Sequence, residues 1–206
     1  MAFRGSEEAL NTVPVLFVHG IFDSGARFGK MQAALTARGF DNLEAMAITP
    51  ADASISMETM GAQVRSAVYA LLQSSGASKI DIIAFSMGAL AVRFFLQKLE
   101  GRDVVRRFIS ISGPHHGTWT AYLTRKPGAR QMRPGSALLQ ELNTEANPWS
   151  NVEVFSFWSP YDRMVIPPHS SILPHAQNRA FNVFVHHWML TDREVIEAVV
   201  HTLESP

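Results

Sequence analysis

A chain of 206 residues is one domain by the usual length prior and is long enough to bury a substantial core. Its 47% hydrophobic and 17% charged residues suit a compact enzyme and exclude a disordered chain. Lys plus Arg and Asp plus Glu each number 18, so no net field steers nucleic acid or acidic membrane lipid toward it, and the absence of cysteine excludes disulfide scaffolds, thiolate metal sites and a cysteine nucleophile.

The first residues, MAFRGSEEALNTVP, lack an apolar h-region and carry two glutamates, so they do not read as a signal peptide. No run approaches the ~20 apolar residues needed to span a bilayer. The expected location is therefore the cytoplasm, with no integral membrane segment. VPVLFVHG (13–20) reads as a buried strand entering a glycine turn. SGARFGKMQAALTARG (24–39) spaces Phe28, Met31, Ala34 and Leu35 at helical intervals and ends on Gly39, a candidate C′ glycine. NLEAMAI (42–48) is a second strand, stopped by Pro50. Ser56 starts a long helix with an apolar stripe of Met60, Val64, Ala67, Val68 and Leu71. KIDIIAF (79–85) is a third strand, followed without a linker by the helix SMGALAVRFFLQKL (86–99). Strands four, five and six are VVRRFISIS (104–112), VEVFSFWS (152–159) and NRAFNVFV (178–185), and the helix TDREVIEAVVHTL (191–203) closes the chain. This alternation predicts an α/β fold, mostly parallel, with about six strands flanked by helices, in a single domain over 1–206. Residues 114–150 break the rhythm. They are rich in Pro, Gly and Arg, contain a short helical piece at 136–143, and are expected to form a small cap or lid.

The chemistry centres on AFSMG (84–88) at a strand-to-helix junction. A serine there sits on a sharp turn whose flanking positions must be small, and Ala84 and Gly88 meet that demand. Free N–H groups at the helix start favour negative charge developing beside Ser86. A plain helix-capping serine is the competing reading. FVHGIF (17–22) weighs against it, because an early strand-to-helix loop is where an acyl-transfer enzyme places the second amide of its oxyanion hole. The amides would be those of Met87 and Ile21, or Phe22 if the loop is registered one residue later.

On such a fold the acid and base follow the serine in that order. Asp103 falls before a strand and Glu153 at the start of one, both at the wrong end. Asp162, in SPYDRMVIPP, lies past the carboxyl end of the fifth strand, where catalytic groups collect in open parallel sheets. His186 and His187 both end the last strand, and period-2 alternation would let only one of them face Ser86. His115 and His116 precede Asp162 and are disfavoured by chain order. A metal site built on the two His-His pairs lacks a carboxylate at ligand spacing, so neither metal nor cofactor is expected.

These segments resemble the small bacterial lipases and esterases of the α/β-hydrolase superfamily, the class 2 lipase kind. VLFVHGIF is similar to their oxyanion segment, AFSMG to their Ala-His-Ser-Met-Gly elbow with Phe85 in place of histidine, and ISGPHHGTW (111–119) to a Pro-His-His-Gly-Thr segment. QMRPGSALLQELN (131–143) resembles their lid-side insertion and SPYDRMVIP their acid loop. The ending HHWMLTDREV resembles a His, two residues, two bulky apolar residues and a helix, which implies His186 as base with Met189 and Leu190 as the apolar pair. The resemblance implies a Ser86–His186–Asp162 triad hydrolysing a small-molecule or lipid ester through an acyl-enzyme. Phe22, Trp119 and Trp158, with Leu123, Met132, Tyr161 and Trp188, are candidates for an apolar acyl pocket. An acyltransferase with the same triad, or a non-catalytic binding protein on this fold, are the other readings. The oligomeric state, acyl length and alcohol preference stay open.

Overall fold

Alternation of apolar side chains along each strand decides which helices cover which face of the sheet. The computed structural model describes residues 13–205, so the reading of the first twelve residues as not a leader lies outside the described part. Six strands, β1 (Val15–Val18), β2 (Leu43–Met46), β3 (Ile80–Phe85), β4 (Val105–Ile111), β5 (Glu153–Trp158) and β6 (Gln177–Ala180), form one sheet in the order β2-β1-β3-β4-β5-β6. Every neighbouring pair is parallel. The chain thus has the parallel α/β sheet that its sequence rhythm predicts, in the α/β-hydrolase fold that the family resemblance implies.

The helices are α1 (Gly29–Thr36), α2 (Met57–Ser75), α3 (Met87–Lys98), α4 (Pro127–Gln131), α5 (Ala137–Asn143) and α6 (Arg193–Glu204). One face of the sheet presents Leu16, Val18, Ile80, Ile82 and Ala84 to α2 and α3. The opposite face presents Val15, Phe17, Ile83 and Phe85 to α1 and α6. Local chemistry sets the helix ends. The Ser56 hydroxyl accepts from Thr59 N at the start of α2, and Gly76, at φ 72°, closes it. Asp192 caps α6 by accepting from the amides of Glu194 and Val195. Among the described residues, no helix is long and apolar enough to cross a membrane.

Two elements differ from expectation. The predicted helix 24–39 opens as a 3-10 turn over Gly25–Phe28 and ends at Thr36, with Gly39 at φ 86° turning the chain toward β2. The sixth strand, expected over 178–185, stops at Ala180; Phe181 N donates to Trp158 O, and the chain then leaves the sheet. Phe181 and Val183 are buried against the α1–α6 layer. Their alternation records packing on that layer rather than strand pairing.

Candidate active site

Strand β3 ends at Phe85, and Ser86 takes φ 53° and ψ −124° before α3 begins at Met87. A non-glycine residue in that region is strained and is held by its surroundings. Ser86 N donates to Ile111 O at 2.9 Å, which ties the turn to the end of β4. The small neighbours are sterically required. A Cβ on Gly88 would lie 2.3 Å from His19 O, and one on Gly20 would lie 2.9 Å from Ser86 Cβ.

The loop after β1 sits against this turn. His19 is buried; its Nε2 accepts from Ile48 N at 3.0 Å, which leaves Nδ1 to donate to Gly20 O at 2.8 Å. Phe22 adopts φ 53° and its amide is spent on Ala51 O at 2.7 Å. The Ile21 amide has no hydrogen-bond partner among the described residues. Of the two amides in this loop, the Phe22 N–H is thus occupied and the Ile21 N–H is not. Met87 is the first residue of α3, where the N–H has no partner within the helix.

Asp162 and His186 meet directly. His186 Nδ1–H donates to Asp162 Oδ2 at 2.7 Å, and the other carboxylate oxygen accepts from Met164 N at 2.8 Å and Val165 N at 3.0 Å. Burial works to raise the Asp162 carboxyl, but the His186 hydrogen bond and charge, with the two amides, outweigh it and hold the acid below the ordinary carboxylate range. The Phe85 ring packs 4.6 Å from the His186 ring, so the residue preceding Ser86 forms one wall of the imidazole's site. His186 and His187 lie in a 3-10 turn over His186–Leu190, six residues past the end of β6. The turn, rather than strand alternation, separates the two rings. His187 Nε2 lies 3.9 Å from Asp23 Oδ2, a buried oxygen without a hydrogen bond, while Asp23 Oδ1 accepts from Ser24 N and Arg27 Nε. Burial and the neighbouring His186 push the His187 imidazole down.

A cavity of about 300 Å³ opens beside Ser86, lined by Ile21, Phe22, Met87, Leu123, Met132 and Val165 among others. Residues 114–132 supply most of its wall, whereas Leu138, Leu139, Leu142 and Trp149 pack into the core with α2 and α3. Of the expected pocket residues, Phe22, Leu123 and Met132 line it; Trp119, Trp158, Tyr161 and Trp188 do not. Trp119 projects outward and stacks on Tyr122, and Trp158 is half-buried at the end of β5, away from the cavity. Lys126, Ala129 and Val165 are lining residues that no sequence pattern singled out.

Thr118 closes the Pro-His-His-Gly-Thr segment. Its hydroxyl donates to Met164 O at 2.8 Å and accepts from Ile166 N at 2.9 Å, clamping the wall to the loop of Asp162. His115 is fully buried with Nε2 2.7 Å from Ser110 Oγ, and burial pushes its imidazole well below the ordinary histidine value. Arg93 is buried too, donating to His115 O, Leu142 O and the Asn143 side chain.

The family model for Lipase (class 2) matches residues 12–204. Among solved structures, the mature lipase BlEst2 of Bacillus licheniformis is 16% identical with a TM-score of 0.80, covering 94% of this chain and 92% of that one. The lin2722 gene product of Listeria innocua is 13% identical with a TM-score of 0.74, covering 94% of each chain. Aspergillus fumigatus lipase B is 20% identical with a TM-score of 0.79; the match covers 94% of this chain and 52% of the larger fungal protein. At these identities the structures speak for the shared fold alone.

Proposed function

Because the chain belongs to the class 2 lipase family, we propose that it hydrolyses carboxylic esters through an acyl-enzyme on Ser86. The observation that carries this reading is the buried 2.7 Å bond between His186 and Asp162, with Phe85 linking the imidazole to the strained serine turn.

In the first step Ser86 Oγ attacks the ester carbonyl carbon while His186 Nε2 takes the hydroxyl proton. Asp162 keeps the Nδ1–H tautomer in place and stabilises the imidazolium. The amides of Ile21 and Met87 donate to the oxygen as it gains charge. His186 then gives its proton to the departing alcohol oxygen and the carbon–oxygen bond breaks, leaving Ser86 acylated. Water attacks the acyl carbon, again passing a proton to His186, and the acid leaves as Ser86 recovers its proton. The apolar cavity beside Ser86 takes the acyl chain, and its size lies at the small end for ligand sites. Residues 114–132 act as the fixed wall of that cavity within a single domain.

A labelled fluorophosphonate tests the nucleophile. It should label the wild-type chain and not a folded Ser86→Ala variant, which should also lose p-nitrophenyl ester turnover by several powers of ten. Retained activity in Ser86→Ala would sink the proposal.

A further inference from the structure

Buried carboxylate oxygens in folded chains are almost always hydrogen-bonded, because leaving one without a donor costs at least about 1–3 kcal/mol. Asp23 breaks that rule. Its side chain is 3% exposed, and Oδ1 accepts from Ser24 N at 2.8 Å and Arg27 Nε at 3.0 Å. The buried Oδ2 has no hydrogen bond among the described residues. It lies 3.9 Å from His187 Nε2, about 1 Å beyond an ordinary N–H···O bond. The acyl-transfer steps use neither residue.

The two residues belong to the loops that flank Ser86. Asp23 is two residues past Ile21, and by holding Ser24 N and Arg27 Nε it fixes the passage of that loop into the 3-10 turn over Gly25–Phe28. His187 directly follows the base, His186. Phe85 lies between the loops. A Cβ on Gly20 would come within 3.2 Å of its ring, and the ring centroid is 4.6 and 5.6 Å from those of His186 and His187. Such packing sets distance, whereas a hydrogen bond also sets direction. Charge decides which form of His187 suits this place. The groups facing it are the His186 ring at 5.5 Å, Asp23 and Arg27 from the loop after β1, and Asp162 from the acid's loop. Burial and His186 push its imidazole down, so the ring is neutral at pH 7. A neutral ring with its hydrogen on Nε2 donates to Oδ2 and adds no positive charge beside the His186 imidazolium of the transition state.

Hydrogen bonds that serve catalysis are often long in the free enzyme and tighten in the transition-state complex. We infer that Asp23 and His187 form a second acid–histidine pair, which closes as Ser86 is acylated and ties the oxyanion loop to the turn of the base. His187 is then a positioning residue that acts through His186, and Asp23 is its anchor. This rests on the ester-hydrolase reading, with His186 as the base. The pairing and the chemistry are measured separately.

A double-mutant cycle in kcat for a soluble p-nitrophenyl ester tests the tie. Asp23→Asn keeps an oxygen for Ser24 N and Arg27 Nε but sets an amide N–H against His187. It and His187→Ala should each lower kcat about tenfold at unchanged KM. The double variant should also lose about tenfold rather than a hundredfold, since the second change removes a tie already broken. His187→Gln, whose amide can still donate to Oδ2, should recover most of the loss. Should Asp23→Asn not fold, the comparison of His187→Gln with His187→Ala carries the test, and equal losses in the two would overturn the pair. Apart from turnover, the His187 imidazole is titrated by NMR in Ser86→Ala protein with and without Asp23→Asn. Loss of the Asp23 charge should lower its midpoint by about one pH unit, the low end for a neighbouring opposite charge because the ring is half-exposed. Losses that multiply to about a hundredfold, an effect confined to KM, or a His187 midpoint unmoved by Asp23→Asn would each overturn the proposal. A wild-type chain without ester turnover, in which the His187 midpoint still follows Asp23, would instead overturn the hydrolase reading.

Discussion

Two adjacent histidines share the Phe85 ring, at 4.6 and 5.6 Å between centroids, but only His186 holds a carboxylate at hydrogen-bond distance. His186→Ala should therefore lower turnover by several powers of ten. His187→Ala removes a half-exposed ring 3.9 Å from Asp23 and should cost about tenfold, the scale of a small change in positioning. Steady-state kinetics on the two folded variants decide this, and a larger loss at His187 would reverse the assignment. Gly20 gives a sharper test of the loop after β1. A methyl group there meets Ser86 Cβ at 2.9 Å and must push the Ile21 amide away from the oxygen it would bind. Gly20→Ala should cut kcat by about 10²–10³ in a variant confirmed to be folded, as for loss of one oxyanion donor. A similar kcat in the variant would show that the Ile21 amide does not serve.

At the scale of elements, the strands and helices that flank Ser86 were legible because their apolar periods are strict and their ends carry Ser56, Gly76 and Asp192. The place of Asp162 past β5 was legible for the same reason, and the choice of His186 over His187 came from the family resemblance; the structure brings the two side chains together. What the sequence hid is tertiary. Whether Ile21 or Phe22 offers its amide depends on Ala51 O, some thirty residues away, claiming the Phe22 N–H. Trp158 was a natural pocket candidate at a strand end, but the cavity opens toward residues 114–132 and is lined by Leu123 and Met132 instead. Phe181 and Val183 mimic strand alternation because both pack on the α1–α6 layer. Thr118 lies in the Pro-His-His-Gly-Thr segment, but nothing in that segment shows that its hydroxyl joins the cavity wall to the loop of Asp162. Thr118→Val should leave Ile166 N unpaired, while Met164 O keeps its bond from Thr120 Oγ1, at a cost of about 1–3 kcal/mol. For a chain of this size that is a fall of roughly 2–4 °C in melting temperature per kcal/mol, read by calorimetry. An unchanged melting temperature would show that the clamp contributes nothing.

The molecule as a whole should be acid-sensitive through His115. Its folded-state pKa lies well below the ordinary value of 6.5, so the unfolded chain binds a proton that the folded one refuses. The stability this contributes is complete above pH 6.5 and is lost as pH falls through 6.5 toward the folded value, at up to about 1.4 kcal/mol per pH unit. His116 and His187 shift in the same direction. Denaturant midpoints between pH 7 and 5 should fall, and His115→Gln should flatten that slope even if it lowers stability overall; an equal slope in the variant would assign the effect elsewhere. Buried beside His115, Arg93 has a consequence of a different kind. Burial pulls its guanidinium down to about 10 against the pull of Glu145, and with no carboxylate at hydrogen-bond distance it spends its donors on His115 O, Leu142 O, Gln97 and Asn143. His115, at the start of the cavity wall, and Leu142 and Asn143, at the end of α5, are thus fastened to α3, and neither segment can swing out without stranding a cation in the interior. In hydrogen-exchange terms the slow amides of α5 should not open in a local event of their own. They should exchange only when α3 does, so that α5 and α3 melt as one cooperative unit.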